Sequence, residues 1–323
     1  MRCLKTLWLV LTVVVGAVVF VQPASGIVRR DDRSDSLYLN LGAGSAYASV
    51  GQLSITASSG NYLGSGTLIS SNWVLTAAHC VADAKALTFS VNGAKYSAAS
   101  WIAYPGWTSS GGNLLGGYDL GLIKLTNVVT GVAPATLYTG SSEVGLVATT
   151  VGYGMTGTGL TGATTYDGKK RAGQNTVDML YAGLGKDARI LLEDFDNPRN
   201  RRDNSMGSST PLNLESMIAP GDSGGALFID SKSGPLLAGV TSFAWGLLDG
   251  KPDSDYGDAA GYTRVSPFNS WIASILAANG GVLPKSSGGT ALMAGATALP
   301  EPASLALLAI GAMGLAAARR RKA

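Results

Sequence analysis

Short apolar runs, each ended by Gly, Ser, Asn or Asp, recur along most of this chain. Residues 52–57, 73–78, 87–91, 120–125, 146–151, 226–229 and 236–243 are examples. Runs this short, so punctuated, suit β-strands joined by tight turns rather than helices. The 44 glycines among 323 residues supply those turns, at about twice the usual share of roughly 7%. They follow no three-residue period, which excludes collagen, and a hydrophobic content of 46% argues against disorder. One helical pattern stands out near 268–278, with Trp271, Ile272, Ile275 and Leu276 on one face and Asn279-Gly280-Gly281 to stop it. The pattern predicts an all-β domain over 27–280, closed by one C-terminal helix.

The two ends differ from this middle. Arg2 and Lys5 precede an apolar run over 7–21, and Ala24-Ser25-Gly26 offers small residues for a cut, so 1–26 reads as a secretory signal removed by signal peptidase. A Ser/Gly linker (281–299) leads to Pro300-Glu301-Pro302, sixteen uncharged residues and then Arg319, Arg320, Arg321 and Lys322. Sixteen residues fall just short of the roughly 17–25 that span a bilayer, with the basic cluster on the cytoplasmic side. This tail resembles the PEP-CTERM sorting signal of bacteria. The resemblance implies a Gram-negative-type bacterium, recognition by an exosortase, and delivery to the cell envelope or extracellular matrix with the membrane engaged through 300–323.

Charge follows the same division. The two ends hold six of the 24 Lys and Arg, so a total of +3 becomes −3 for residues 27–318. No basic patch for nucleic acid survives that correction. Cys3 leaves with the signal, and Cys80 alone cannot form an internal disulfide. Two cysteines and one histidine rule out a Cys/His zinc site, and neither a metal nor a cofactor is expected. Residues 154–175, rich in Gly and Thr, read as an exposed loop. Residues 193–214 carry Glu193, Asp194, Asp196 and Asp203 beside Arg199, Arg201 and Arg202, and read as a solvated surface insertion. A calcium site through those aspartates is the alternative, although no spacing matches a known loop.

Chemistry concentrates in three places. Gly221-Asp222-Ser223-Gly224-Gly225 satisfies the G-x-S-x-G pattern, which alone is a weak signal. A hydroxyl needs a neighbouring base to act as a nucleophile at neutral pH, and histidine suits that role. The only histidine is His79, in Thr76-Ala77-Ala78-His79-Cys80. No histidine follows Ser223, which excludes the α/β-hydrolase order of Ser, acid, His. Asp119 lies between them at the head of an apolar run, where a carboxylate is costly to bury without a partner. Orienting an imidazole would give it one.

With Thr-Ala-Ala-His-Cys at 76–80, Asp-Leu-Gly-Leu-Ile-Lys-Leu at 119–125 and Gly-Asp-Ser-Gly-Gly at 221–225, the stretch 48–278 resembles the chymotrypsin/trypsin-like serine proteases. Weaker matches are 64–68, Gly152-Tyr153-Gly154 and 261–265. The resemblance implies two six-stranded antiparallel β-barrels with the active site between them. It implies a serine endopeptidase (a hydrolase of protein or peptide substrates) that uses Ser223 as nucleophile, His79 as proton shuttle and Asp119 as its orienter. Backbone N–H groups of Gly221 and Ser223 would form the oxyanion hole, and Ser242-Phe243-Ala244 would pair with substrate as a strand.

Four departures or open points accompany the resemblance. The family's cysteine partner of Cys80 is replaced by Gly64, and another family cysteine by Ala219. Met217 stands where trypsin has an aspartate at its pocket base, and Ala244 and Ala260 stand at the walls. The expected preference is therefore for small or medium apolar side chains. A cut after Gly26 would expose Ile27, which the resemblance pairs with Asp222 for activation, yet Arg29-Arg30 replaces the usual glycines and the segment to Val50 is long. The rival partner for Asp222 is a nearby arginine. Two other functions stay open at this point: a protease-fold binding or matrix protein without catalysis, and an esterase with the same triad.

Overall fold

A computed structural model describes residues 24–183 and 187–284, so the sorting tail and most of the signal segment lie outside the described residues. Six strands form a closed barrel in the order Val50–Ala57, Gly60–Ser70, Trp73–Thr76, Gly121–Leu125, Ala94–Ala103 and Ala84–Val91. Alternation explains the first of these: Leu53 and Ile55 are buried while Ser54 and Thr56 face water. Leu53, Leu68, Leu75, Phe89 and Leu122 fill the interior.

The second half is an eight-stranded, partly barrel-like sheet. Its path runs Arg171–Thr176, Val147–Gly152, Ala226–Ser231, Gly234–Trp245, Ala259–Arg264, Ile190–Asp194 and Met179–Tyr181, with Thr136–Leu137 paired to the side of Gly234–Trp245. Among the described residues a side-chain bridge supplements the backbone ladders of this partly barrel-like sheet. Asn175 Nδ2 donates to the Asp194 carbonyl at 2.5 Å and to that of Ser216 at 3.4 Å, linking the first strand of the path to Ile190–Asp194. Leu191, Phe195, Met217, Leu227, Ala260 and Tyr262 belong to the core on this side. The C-terminal helix, Asn269–Ala278, seats Ile272 and Leu276 against the first barrel, as its apolar face predicts.

Two surface readings change. The stretch 154–175 is not a loop: Thr156–Thr158 and Gly162–Thr165 pair with each other, and Thr156–Thr158 also pairs with Val28–Arg29 near the chain start. Residues 193–196 are not solvated either, for Glu193, Asp194 and Asp196 are each at most 3% exposed. The excess length between Ile27 and Val50 folds into the helix Asp35–Gly42 and a short 3-10 turn. Arg171, 1% exposed, fastens that helix. Its Nε and Nη2 donate to the two Asp35 carboxylate oxygens at 2.7 Å each, and Nη1 donates to Asp167 at 3.0 Å.

A buried guanidinium with two carboxylate partners is hard to remove without exposing the imbalance. Arg171→Met is expected to lower unfolding free energy by about 3 kcal/mol in a urea titration. An unchanged midpoint would mean that the fastening adds nothing net.

Candidate active site

Strand pairing brings the first two chemical residues together. Trp73–Thr76 and Gly121–Leu125 are antiparallel, with Thr76 opposite Gly121. His79 lies just past the end of one strand and Asp119 just before the start of the other, so the ladder delivers both to the same edge. His79 Nδ1 is 2.7 Å from Asp119 Oδ2, and the His79 amide donates to Asp119 Oδ1 at 2.9 Å. Ser242 Oγ donates to Asp119 Oδ2 at 2.6 Å, and Thr263 Oγ1 donates to the Asp119 carbonyl at 3.0 Å. Asp119 is wholly buried, yet both its carboxylate oxygens are satisfied. The His79 side chain is 31% exposed. Burial opposes its charge, but the Cys80 sulfur and the Asp119 carboxylate outweigh that, and the imidazole pKa stands well above its ordinary value.

Ser223 comes from the loop between Ser216–Met217 and Ala226–Ser231. The first barrel holds this loop in place. The Ser65 amide donates to the Ser223 carbonyl at 2.8 Å, and Ser65 Oγ donates to the Gly221 carbonyl at 3.1 Å. Gly224 adopts a φ of +80°, and a Cβ there would lie 2.0 Å from Thr76 Oγ1 and 2.4 Å from the Ser65 carbonyl oxygen. Only glycine fits. The amides of Gly221 and Ser223 donate to no other described residue, which leaves them free for a ligand oxygen. Ser223 Oγ and His79 are not hydrogen-bonded to each other among the described residues. Such contacts are often long before substrate binds.

Behind the nucleophile loop, Asp222 is wholly buried. Its Oδ1 accepts from the Gly154 amide at 2.7 Å, and Oδ2 accepts from the amides of Ala219 at 2.9 Å and Ile27 at 3.2 Å. Burial raises its pKa to about 7, while those amides and the more distant Arg171 pull it down. Arg171 is committed to Asp35 and Asp167, and no arginine among the described residues bonds Asp222 directly. Ile27 therefore does reach Asp222, as an amide within the continuous chain and with a φ of +68°. That conformation is rare and strained for a β-branched residue.

Gly64 lies beside Cys80: a Cβ built on it would sit 3.4 Å from the Cys80 sulfur. The thiol is buried and free. Ala260 and Met217 are buried in the core of the second half, with the half-buried Ala244 packed against it. Phe243 lies on the opposite face, its ring covering Gly261. The supporting role of Ser65 escaped the sequence reading, because a small residue in a strand carries no signal of a partner 156 positions away. Carboxylate oxygens of Asp253, Asp255 and Asp258 lie within 4.8 Å of one another, a donor set suited to a hard cation. Burial and repulsion from Asp255 and its acidic neighbours raise the Asp258 pKa to about 7, against the Ser254 amide that it accepts.

The family model for trypsin matches residues 43–272, and the chain belongs to that serine protease family. The PEP-CTERM protein-sorting motif matches residues 298–322, which supports export and envelope sorting. Among relatives, chymotrypsin-like elastase family member 1 of Canis lupus familiaris is 29% identical over 66% of this chain and 81% of its own length. Serine protease SSP1 of Scolopendra subspinipes is 31% identical over 64% of this chain and 70% of its own length. Trypsin-1 of Salmo salar is 25% identical over 72% and 88%. A solved structure of HL collagenase shares the fold, with a TM-score of 0.53 and 22% identity over 72% of this chain and 96% of that one. No helix among the described residues is long and apolar enough to cross a membrane.

Gly224→Ala is expected to destabilise the protein by about 1–3 kcal/mol, visible as a lower melting temperature. The same change displaces the loop and should abolish the reactivity of Ser223.

Proposed function

We propose that this protein is an exported serine endopeptidase that cleaves protein or peptide substrates through an acyl-enzyme. The observation that carries the reading is the 2.7 Å contact of His79 Nδ1 with the buried Asp119 carboxylate, beside a nucleophile loop tied to the same barrel. Asp119 fixes the imidazole so that its other nitrogen faces outward as a base. His79 takes the Ser223 proton as Oγ attacks the scissile carbonyl, then returns it to the leaving amine. The free amides of Gly221 and Ser223 receive the developing oxyanion, each such donor being worth roughly 10²–10³ in rate. Substrate lies as an added strand against Ser242-Phe243-Ala244. On Met217, Ala244 and Ala260 alone, the pocket favours small or medium apolar side chains.

Activation follows from Ile27 and Asp222. A cut after Gly26 would turn the Ile27 amide, 3.2 Å from Asp222 Oδ2, into an ammonium group facing a buried carboxylate. It would also release the strained φ of +68°, a conformation that costs about 1–3 kcal/mol. Signal peptidase would then both free and activate the chain, and an exosortase-type enzyme would act on the tail, with the membrane held through 300–323. Full activity of a protein bearing one extra residue before Ile27 would overturn this activation route.

Fluorophosphonate labelling of the processed protein tests the central reading. Label should enter Ser223 and be lost in both Ser223→Ala and His79→Ala; equal labelling of a folded Ser223→Ala would refute it. The pH profile carries the sign of the His79 shift. Only neutral His79 is a base, so a raised pKa moves the acid limb of kcat/KM above the ordinary 6.5. Asp119→Asn should move that limb down and lower the rate severalfold or more, as followed by peptide hydrolysis across pH 5 to 10.

A further inference from the structure

One hydroxyl stands where three segments of the site meet. Ser65 lies in the strand Gly60–Ser70 of the first barrel and is wholly buried. Glycine on either side lets other parts of the chain close on it. A Cβ on Gly64 would lie 3.2 Å from the Ser223 carbonyl oxygen, and one on Gly66 would lie 2.7 Å from Val74 Cγ1. The main chain of Ser65 is already engaged, its amide with the Ser223 carbonyl and its carbonyl with Thr76 Oγ1 at 2.9 Å. The side chain bridges two further segments. Its Oγ accepts from the Tyr153 amide at 3.0 Å and donates to the Gly221 carbonyl at 3.1 Å. These roles cannot be exchanged, because an amide only donates and a carbonyl only accepts. The single hydroxyl proton therefore points at Gly221.

Gly221 is the residue of the loop that most needs such a partner. Its φ of +95° favours glycine, and a Cβ there would lie 2.8 Å from Gly154 Cα. A glycine that can adopt this conformation can also leave it, since no side chain resists rotation of the adjoining peptide planes. The residues around it are held by other bonds. The Pro220 carbonyl accepts from the Met155 amide at 2.7 Å, and the Asp222 amide donates to the Ala219 carbonyl at 2.9 Å. Gly221 itself has one hydrogen-bond partner among the described residues, the Ser65 hydroxyl, and its amide has none. On the far side of that hydroxyl, Tyr153 precedes Gly154, whose amide bonds Asp222 Oδ1. The hydroxyl thus ties Gly221 both to the first barrel and to the segment that clasps Asp222.

We infer that Ser65 is a positioning residue for acyl transfer: its hydroxyl holds Gly221 so that the Gly221 amide stays turned toward the reacting carbonyl. This rests on the endopeptidase reading, in which that amide receives the oxyanion. The hydroxyl then serves the transition state rather than substrate binding, because the oxyanion exists only once Ser223 has attacked. Without it, the Tyr153 amide and the Gly221 carbonyl both lose a partner inside a buried junction. The carbonyl is free to swing about a glycine hinge, and the amide of the same residue loses its fixed direction.

The test uses processed protein whose active sites are first counted by fluorophosphonate labelling of Ser223 taken to completion. Parent, Ser65→Ala and Ser65→Cys are then compared, per labelled site, on a peptide that the parent cleaves. Ser65→Ala should lose about 10–100-fold in kcat while KM stays within about threefold. Ser65→Cys keeps the size with a weak S–H donor and should fall between the two. A peptidyl trifluoromethyl ketone presents an oxyanion once Ser223 adds to it. It should bind Ser65→Ala more weakly by about the factor lost in kcat. The acid limb of the pH profile should stay in place, and a shifted limb would put the fault at His79 and overturn the inference. A merely structural role predicts fewer labelled sites or a lower melting temperature with kcat per site unchanged. That result overturns the inference while leaving the serine hydrolase intact, as does a loss confined to KM. Should Ser65→Ala not fold, Ser65→Cys carries the same comparison: a reduced kcat at constant KM supports the inference, and a parental kcat overturns it. No labelling of the parent overturns the endopeptidase reading and the inference together.

Discussion

Asp119 receives hydrogen bonds from both halves of the molecule. His79 approaches it from the first barrel through ring and main chain, and Ser242 and Thr263 approach from two adjacent strands of the second sheet. A fully buried carboxylate tolerates no unsatisfied oxygen, so the two halves have one relative placement in which all four bonds form. The requirement that keeps Asp119 soluble in the protein interior therefore also aligns the imidazole. The same hydrogen bonds align His79 and join the two halves of the molecule.

Asp222 poses a different electrostatic problem. Three amides solvate it, no cation among the described residues bonds it, and burial raises its pKa. Arg171 binds Asp35 of the inserted helix Asp35–Gly42 and Asp167, while the Ile27 amide bonds Asp222. Charge is thus left incomplete at one position and completed beside it.

Much of this architecture could be read from residue order. Strands were legible because glycine-punctuated runs are short, and the C-terminal helix because Ile272 and Leu276 repeat at helical spacing. Motif and order singled out three candidate residues, and the structure brings two of them, His79 and Asp119, into contact. What escaped depends on partners far away in sequence. Asp35 and Arg171 lie 136 positions apart, so the long segment before Val50 gave no sign of a fastened helix. Glu193, Asp194 and Asp196 looked solvated because charge normally means surface, and only the register with 259–264 carries that strand inside. The Gly/Thr stretch 154–175 looked irregular because its strands are two to six residues long and some pair with the chain start.

Gly64 beside Cys80 has a consequence for how the protein comes to be folded. Where a second sulfur could have stood there is only a hydrogen, and Cys80 stays a thiol 3.7 Å from the Ser223 carbonyl. The nucleophile loop is consequently steadied by hydrogen bonds from Ser65 and by close glycine packing, with no covalent staple. A scaffold of this kind needs no oxidant to mature and loses nothing when a reductant is present.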